Sequence, residues 1–376
     1  MSEEPVLLLV LSDPVGVDGR TRWFDRKTIS GLRMFAQGWP GRIVVSAPSS
    51  SGGGTALGEA VPSDELEFDL LLDRAPSDAA ALVDPAVVLA LHAPANYALS
   101  AWDPTRTVFT LENGLRQRLR VELLQARSAL SRARITAGIV RRAPAFHRSI
   151  RRAAGAQCNG YASWSAHRHL SRSPMLFFDH RVPGEVIAAS RAVEPSTEAP
   201  IRLGFSGRHI PIKGPHHAVR LVAELRARGL DATMTMYGDG ALRPEIERAA
   251  GPGVTLAGAL PFAEEWIPSV RENVDLMVLP YPQADPAGTY LESFALGVPV
   301  LGFAHEAFSP FARDHGAGWE VPVGDTAALA DTVQELGATP QMLTAAGTNA
   351  LDFMRCHASE DEFAARVAHL RDVAQV

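Results

Sequence analysis

The chain has 376 residues, 46% of them hydrophobic, with two cysteines and a formal net charge of −6; this is more than one core normally supports and argues for two domains, while two cysteines exclude a disulfide framework. No apolar run nears the roughly 20 residues that span a bilayer, and no basic segment precedes the run at residues 6–11, so a cytoplasmic location is expected. Charge is uneven, +5 over residues 1–183 and −11 over residues 184–376, which points to different partners for the two halves; only Lys27 and Lys213 among the 36 basic residues are lysines.

Residues 5–11 read as a strand, and residues 13–20, with Gly16, Gly19 and Arg20, as a loop leading into a helix over 21–37. The two glycines let backbone approach a ligand, but their spacing is not the G-x-G-x-x-G dinucleotide fingerprint, which argues against a nicotinamide enzyme. Residues 41–47 read as a strand and 48–54 as a flexible connection. Strands follow over 66–72 and 85–91, the second continuous enough to be a buried parallel strand. His92 stands at its carboxyl end, where open α/β sheets bind ligands; a histidine there is either a hydrogen-bonded turn residue or part of a site. Residues 106–111 give the next strand, ending Thr110-Leu-Glu112-Asn113.

Residues 114–155 carry eleven arginines against one acid, Glu122, and Arg120, Arg127, Arg134, Arg141 and Arg148 recur every seven residues. At about 20° of drift per seven residues the first four form one basic stripe before Pro144 interrupts the helix. Leu115, Leu119, Leu123, Leu130, Ile135 and Ile139 supply apolar surface. Such a helix either packs on its own sheet with a solvated basic face or lies on an anionic membrane; nucleic acid is disfavoured because, of Phe, Tyr and Trp, only Phe146 interleaves with the arginines. Residues 158–164 and 175–178 read as closing strands, and 184–200 as a linker.

The second half opens with a strand at 201–205 running into Ser206-Gly207-Arg208-His-Ile-Pro-Ile-Lys213-Gly214 and a helix to 228. An arginine fork and a mobile lysine at a strand–loop–helix mouth can neutralise a diphosphate. A strand at 232–237 turns at Gly238-Asp239-Gly240 into a helix at 244–249; a strand over 254–260 and a helix over 263–273 follow. Residues 274–279 read as a buried strand, 280–289 as a small-residue loop, and 290–296 as a helix closed by Gly297. Glu292, on its first turns, either complements the helix dipole or holds a ribose by its hydroxyls. A strand at 319–323 and helices over 326–336 and 340–373 complete a second doubly wound domain.

The wording Glu292-Ser-Phe-Ala-Leu-Gly297-Val-Pro-Val resembles the E-A-M-A-x-G-x-P-V end of the donor-site motif of retaining family-4 glycosyltransferases of the GT-B fold (glycosyl transferases group 1). Gly207-Arg208 through Lys213-Gly214 is similar to that family's phosphate-binding G-R-x-x-x-x-K-G. The resemblance implies an α/β chain of two Rossmann-like doubly wound parallel-sheet domains facing across a cleft. Residues 1–183 would bind the acceptor, 184–200 would link, 201–350 would bind the nucleotide-sugar donor, and 351–376 would form a helix crossing back.

It further implies a catalytic set of His92, Arg208 and Lys213, with the two cations on the departing diphosphate. Gly207, Gly238, Ala287, Gly288, Thr289 and Glu292 would bind the donor, and Gly16, Gly19, Arg20 and Glu112 would line the acceptor side. Two departures stand out. Glu112 replaces a histidine common in the family, and Ala284 replaces the carboxylate that binds sugar hydroxyls, leaving Asp285 either to substitute for it or to cap the turn. With no D-x-D at a strand end, neither a metal nor a cofactor beyond the nucleotide sugar is expected.

The implied activity is hexosyl transfer, with retention, from a UDP- or GDP-sugar to a glycan, lipid-linked or small-molecule acceptor in cell-surface polysaccharide or glycoconjugate biosynthesis, with peripheral contact to the inner face of the membrane through residues 114–155. A non-catalytic sugar-nucleotide-binding or partner protein, and a sugar-nucleotide 2-epimerase, share the same motifs.

Overall fold

The structure, a computed structural model, describes residues 4–52, 58–124, 126, 128–195 and 200–376. Arg127 of the expected basic stripe, residues 53 and 54 of the expected connection and residues 196–199 of the expected linker lie outside the described residues. The chain divides into two units: Met1–Leu115, Thr136–Phe178 and Glu360–Val376 make the first, and Arg116–Ile135 with Asp179–Ser359 the second.

The first unit begins β1 (Leu7–Val10), β2 (Val15–Asp18), β3 (Thr21–Asp25), α1 (Arg26–Gly38) and β4 (Ile43–Ala47). It continues β5 (Ser49–Ser51), β6 (Gly58–Pro62), β7 (Asp69–Leu72), α2 (Pro76–Val83), β8 (Val87–Leu91), α3 (Leu99–Trp102) and β9 (Thr107–Leu111). After α4 (Leu115–Leu124) and α5 (Ala129–Arg152) come β10 (Gly155–Asn159), α6 (Gly160–His167) and β11 (Pro174–Phe177).

Seven parallel strands lie in the order β11-β10-β9-β8-β1-β4-β7. The run Leu7-Leu-Leu-Val10 is apolar throughout because both its faces are covered. Leu7 and Leu9 join Ile29, Leu32 and Phe35 of α1 and Val367 and Leu370 of the C-terminal helix (Ser359–Ala374), while Leu8 and Val10 join Ala79, Ala80, Leu99, Phe146 and Ile150. Each of the Leu, Ile, Val and Phe side chains among them contributes about 1.5–3 kcal/mol of burial. Arg366 of the C-terminal helix donates through Nε to Gln157 Oε1 (2.8 Å), and Gln157 Nε2 donates back to the Arg366 carbonyl (3.0 Å).

Three expectations are corrected here. Residues 15–25 form a β-hairpin, not a loop and helix start: Gly19, at φ 54°, makes the two-residue turn between Asp18 and Thr21 that primed hairpin turns require. The hairpin pairs with β5 and β6 in a four-stranded sheet. Helix α1 starts at Arg26 because Asp25 caps it, its carboxylate accepting from the Lys27 and Thr28 amides (2.9 and 3.3 Å).

Residues 158–164 are the end of β10 and the start of α6. The basic segment is two helices, and the break is not at Pro144. Helix α5 begins after Ser128, whose Oγ accepts from Ser131 N (3.1 Å), and passes through Pro144 on an exposed turn where water can take up the freed Val140 carbonyl. Arg120 therefore sits on α4, apart from Arg134 and Arg141 on α5.

The second unit holds α7 (Gly184–Ala189), inside the expected linker, then β12 (Ile201–Ser206), α8 (Pro215–Ala227), β13 (Ala232–Tyr237), α9 (Arg243–Ala249) and β14 (Val254–Gly258). A wide helical turn (Phe262–Trp266) leads into α10 (Ile267–Asn273), β15 (Leu276–Leu279), α11 (Thr289–Phe294), β16 (Val300–Phe303), α12 (Ser309–Arg313), β17 (Gly318–Val321), α13 (Thr326–Ala338) and α14 (Gln341–Met354). Its six parallel strands run β14-β13-β12-β15-β16-β17. Among the described residues no helix is long and apolar enough to cross a membrane.

Candidate functional site

The order of the second sheet sets β12 between β13 and β15, so the loops leaving the carboxyl ends of these three neighbouring strands converge. Close backbone approach depends on Gly238, at φ 117°, where a Cβ would stand 2.1 Å from the Gly207 carbonyl oxygen. The first two loops are stitched together by Gly207 N to Tyr237 O (3.0 Å), His209 N to Asp239 O (2.8 Å) and Leu242 N to His209 O (2.8 Å). The third is anchored to the first by the Tyr281 hydroxyl, which donates to the Ser206 carbonyl (2.7 Å).

Charge gathers at these loops. Lys213 Nζ donates to Asp285 Oδ2 at 2.6 Å and lies 4.2 Å from the centre of the Tyr281 ring. Arg208 is exposed, and among the described residues no carboxylate pairs with it. Glu292 on α11 points inward: its side chain is 11% exposed and Oε1 accepts from Arg181 Nε at 3.0 Å. The Arg181 guanidinium, 48% exposed, lies 4.0 Å from the centre of the Phe262 ring. Arg181 was not foreseen, because it precedes Glu292 by 111 residues and belongs to no motif.

The Ala287 amide already donates to the Asp285 carbonyl (2.8 Å), and Gly288 accepts from Glu292 N (2.8 Å), which starts α11. Gly288 packs where a Cβ would stand 2.9 Å from the Asp179 carbonyl oxygen. Two buried side chains in these loops were also missed. His209 is fully buried, among the described residues neither ring nitrogen has a hydrogen-bond partner, and burial lowers its pKa. Gln283 is 2% exposed and among the described residues neither amide atom has a hydrogen-bond partner.

In the first unit His92 follows β8 as expected, but its surroundings give it a packing role. It is 1% exposed, with ring centres of Tyr97, Phe109 and Phe146 at 4.6, 5.0 and 4.6 Å. Its Nε2 lies 2.8 Å from Ser149 Oγ, which itself donates to the Phe146 carbonyl, so the imidazole is the donor in that contact. No face of the ring is open to a transferred sugar, which corrects the catalytic expectation.

Gly16 lies in β2 with a Cβ position 2.9 Å from Trp23 Cβ, and Arg20 at the hairpin tip pairs with Asp64 (3.6 Å), both exposed. Glu112 follows β9, partly buried. None of these lines the cavity of about 230 Å³ at the carboxyl ends of β1, β8 and β9, which is bounded by Leu11, Asp13, Thr28, Leu91, Thr110 and Arg366 among others.

Two doubly wound parallel sheets, the second carrying this charged strand-end site, are the GT-B fold. Residues 200–338 match the model of the family described as Glycosyl transferases group 1. The chain is similar to two proteins of Streptomyces kanamyceticus. One is a 2-deoxystreptamine glucosyltransferase, 37% identical over 106 residues that make up 27% of each chain. The other is an alpha-D-kanosaminyltransferase, 29% identical over 151 residues that make up 39% of each. The chain thus spans about a quarter to two fifths of the length of these relatives. Among solved structures it is similar in fold to HepE of Anabaena in complex with UDP, with a TM-score of 0.66 and 14% identity over 97% of this chain and 98% of that one.

Proposed function

We propose that the chain is a glycosyltransferase that moves a hexose from a nucleoside diphosphate sugar held by the second unit to a hydroxyl of an acceptor held by the first. The observation that carries the reading is the meeting of Arg208, Lys213, Asp285 and Glu292 on adjacent strand-end loops within the stretch that the family model matches. Arg208 and Lys213 stabilise negative charge as it develops on the departing diphosphate, a task that in other enzymes falls to a metal ion. Glu292 accepts hydrogen bonds from the ribose hydroxyls, with Arg181 holding its carboxylate in place. Asp285 binds the hexose once it leaves Lys213. Retention at the anomeric carbon and independence of a metal ion follow from the resemblance of the motifs.

For the acceptor, the cavity beside Asp13, Thr28 and Thr110 suits a small polyhydroxylated or amino-bearing ring, and the names of the two Streptomyces relatives support that class over a long glycan. A lipid-linked acceptor is favoured instead by α5, where Leu130 and Val140 are 61% and 65% exposed among Arg132, Arg134, Arg141 and Arg142.

The test is a thermal-shift panel of UDP, GDP, ADP, CMP and TDP on the wild-type chain and on Lys213→Ala. A ligand at about 100 times its Kd raises stability by about 2.7 kcal/mol. One diphosphate is expected to stabilise the wild type and to lose most of that effect in the variant, and its sugar ester to be turned over when acceptor is added. Binding without turnover favours the non-catalytic reading, and turnover of the sugar nucleotide without acceptor favours the epimerase.

A further inference from the structure

The loop that leaves β15 supports the loop that leaves β12 at three points along its length. At the start, the Tyr281 hydroxyl donates to the Ser206 carbonyl, and a Cβ at Gly207 would stand 3.0 Å from that hydroxyl oxygen. At the end, a Cβ at Gly214 would stand 2.3 Å from the Pro280 carbonyl oxygen. Between the two, the Lys213 ammonium lies over the Tyr281 ring, 4.2 Å from its centre. Tyr281 is fully buried, and the Tyr290 ring packs against it with centres 5.5 Å apart. The phenol is therefore a fixed surface, and the ammonium on its flexible stem is the movable member of the pair.

The Lys213 side chain is only 9% exposed, so water does little to hold its charge; the Asp285 carboxylate and the Tyr281 ring do so instead. A diphosphate acts differently on these two. It repels the carboxylate and competes with it, whereas a ring face has no net charge and keeps its attraction for the cation. We infer that Tyr281 is a positioning residue whose ring retains the Lys213 ammonium when Asp285 gives it up to the diphosphate; this rests on the reading of the site as one for a nucleoside diphosphate sugar. Lysine needs such a support more than arginine would, because its ammonium is a point charge with no planar fork to orient it. A leucine at position 281 would fill much of the same space and offer the cation nothing.

The experiment measures, on the full chain, the ligand-free Tm and the calorimetric Kd for UDP, GDP, ADP and TDP. It compares wild type with Tyr281→Phe and Tyr281→Leu, each also combined with Lys213→Met, which keeps the stem and deletes the charge. Tyr281→Phe keeps the ring and loses the hydrogen bond to Ser206, so a lower Tm is expected with diphosphate affinity within about twofold of wild type. Tyr281→Leu is expected to bind the diphosphate about tenfold more weakly. Beside Lys213→Met the same leucine is expected to change affinity by less than about twofold, since the charge on which the ring acts is gone. A series of phenylalanines of increasing ring fluorination at position 281 keeps the shape and drains negative charge from the ring face. Affinity is expected to fall stepwise along that series while Tm stays near that of Tyr281→Phe.

Equal losses from Tyr281→Leu with and without the Lys213 charge overturn the inference, and mean that the ring only shapes the loop. A loss in Tyr281→Phe as large as that in Tyr281→Leu also overturns it, and assigns the effect to the hydroxyl. A flat fluorination series overturns it even where the leucine variant does not fold. If none of the four diphosphates binds the wild type, the reading of the site itself fails and the role of Tyr281 with it. If one binds and the series is flat, only the role of Tyr281 fails.

Discussion

Lys213 Nζ and Asp285 Oδ2 meet at 2.6 Å from loops that leave adjacent strands, so the cation suited to a diphosphate is already neutralised by the protein's own carboxylate. A diphosphate must compete with Asp285. The Asp285→Asn variant is therefore expected to bind a free nucleoside diphosphate several-fold more tightly and its sugar ester no better than wild type, by calorimetric titration. Lys213→Ala, which deletes a charge-assisted contact, is expected to weaken diphosphate binding by about 10–100-fold. Weaker diphosphate binding by Asp285→Asn would mean that the carboxylate positions Lys213 instead of competing for it.

Glu292 and Arg181 form the second pair, and they predict selectivity for ribose. Glu292→Ala is expected to erase the preference for UDP over 2′,3′-dideoxy-UDP, or for the matching guanosine pair if the thermal panel selects GDP. Arg181→Ala leaves a mostly buried carboxylate without its guanidinium. Because that guanidinium is half exposed, the expected loss is only about 1 kcal/mol, read as a shifted urea midpoint.

Acid sensitivity follows from two histidines of the second unit. Burial, reinforced by His216 and then Arg220, lowers the His217 pKa to about 4. Burial lowers that of His305 to about 4 as well, against weaker opposing effects led by Glu306. In the unfolded chain both imidazoles take up a proton near 6.5, so between those values the unfolded state binds more protons. The stability present above pH 6.5 is thus lost as pH falls toward 4. Urea midpoints are expected to drop from pH 7.5 to pH 5, and to drop less in the His217→Gln, His305→Gln double variant.

Helix α5 presents exposed arginines around Leu130 and Val140, and α4 ends in the exposed Leu124. Sedimentation with vesicles of phosphatidylcholine and phosphatidylserine is expected to pull the chain down, and vesicles of phosphatidylcholine alone are not. With about 1 kcal/mol per basic residue near an anionic surface, replacing Arg132, Arg134, Arg141 and Arg142 by Glu is expected to abolish the effect, as is high salt. Binding that survives the four substitutions would place any membrane contact elsewhere.

What could be read from the chain alone tracks how local each determinant is. The G-R-x-x-x-x-K-G loop and the Glu292 helix were legible because strand, turn and helix signals sit within about 20 residues of one another. The hairpin at residues 15–25 was not, since its strands are short, polar at one end, and completed by pairing with Ser49–Ser51 and Gly58–Pro62. Asp18-Gly19 was its one local signal. His92 was placed correctly on the chain and misjudged in role, because the Phe146 ring and Ser149 hydroxyl that enclose it arrive from α5. The pairing of Lys213 with Asp285, 72 residues apart, needs the strand order, which periodicity does not reveal.

The first unit's core includes Val367 and Leu370, yet the body of that unit is complete by Phe178. During synthesis about 180 residues separate the two, which at typical elongation rates is roughly 10–40 s. For that interval the apolar face that Leu32 and Phe35 present to the C-terminal helix stays uncovered, while most of the second unit emerges and can fold. A fragment ending near residue 183 would carry the same wound permanently. The first unit, although most of it is translated first, therefore completes its core only after the second has emerged.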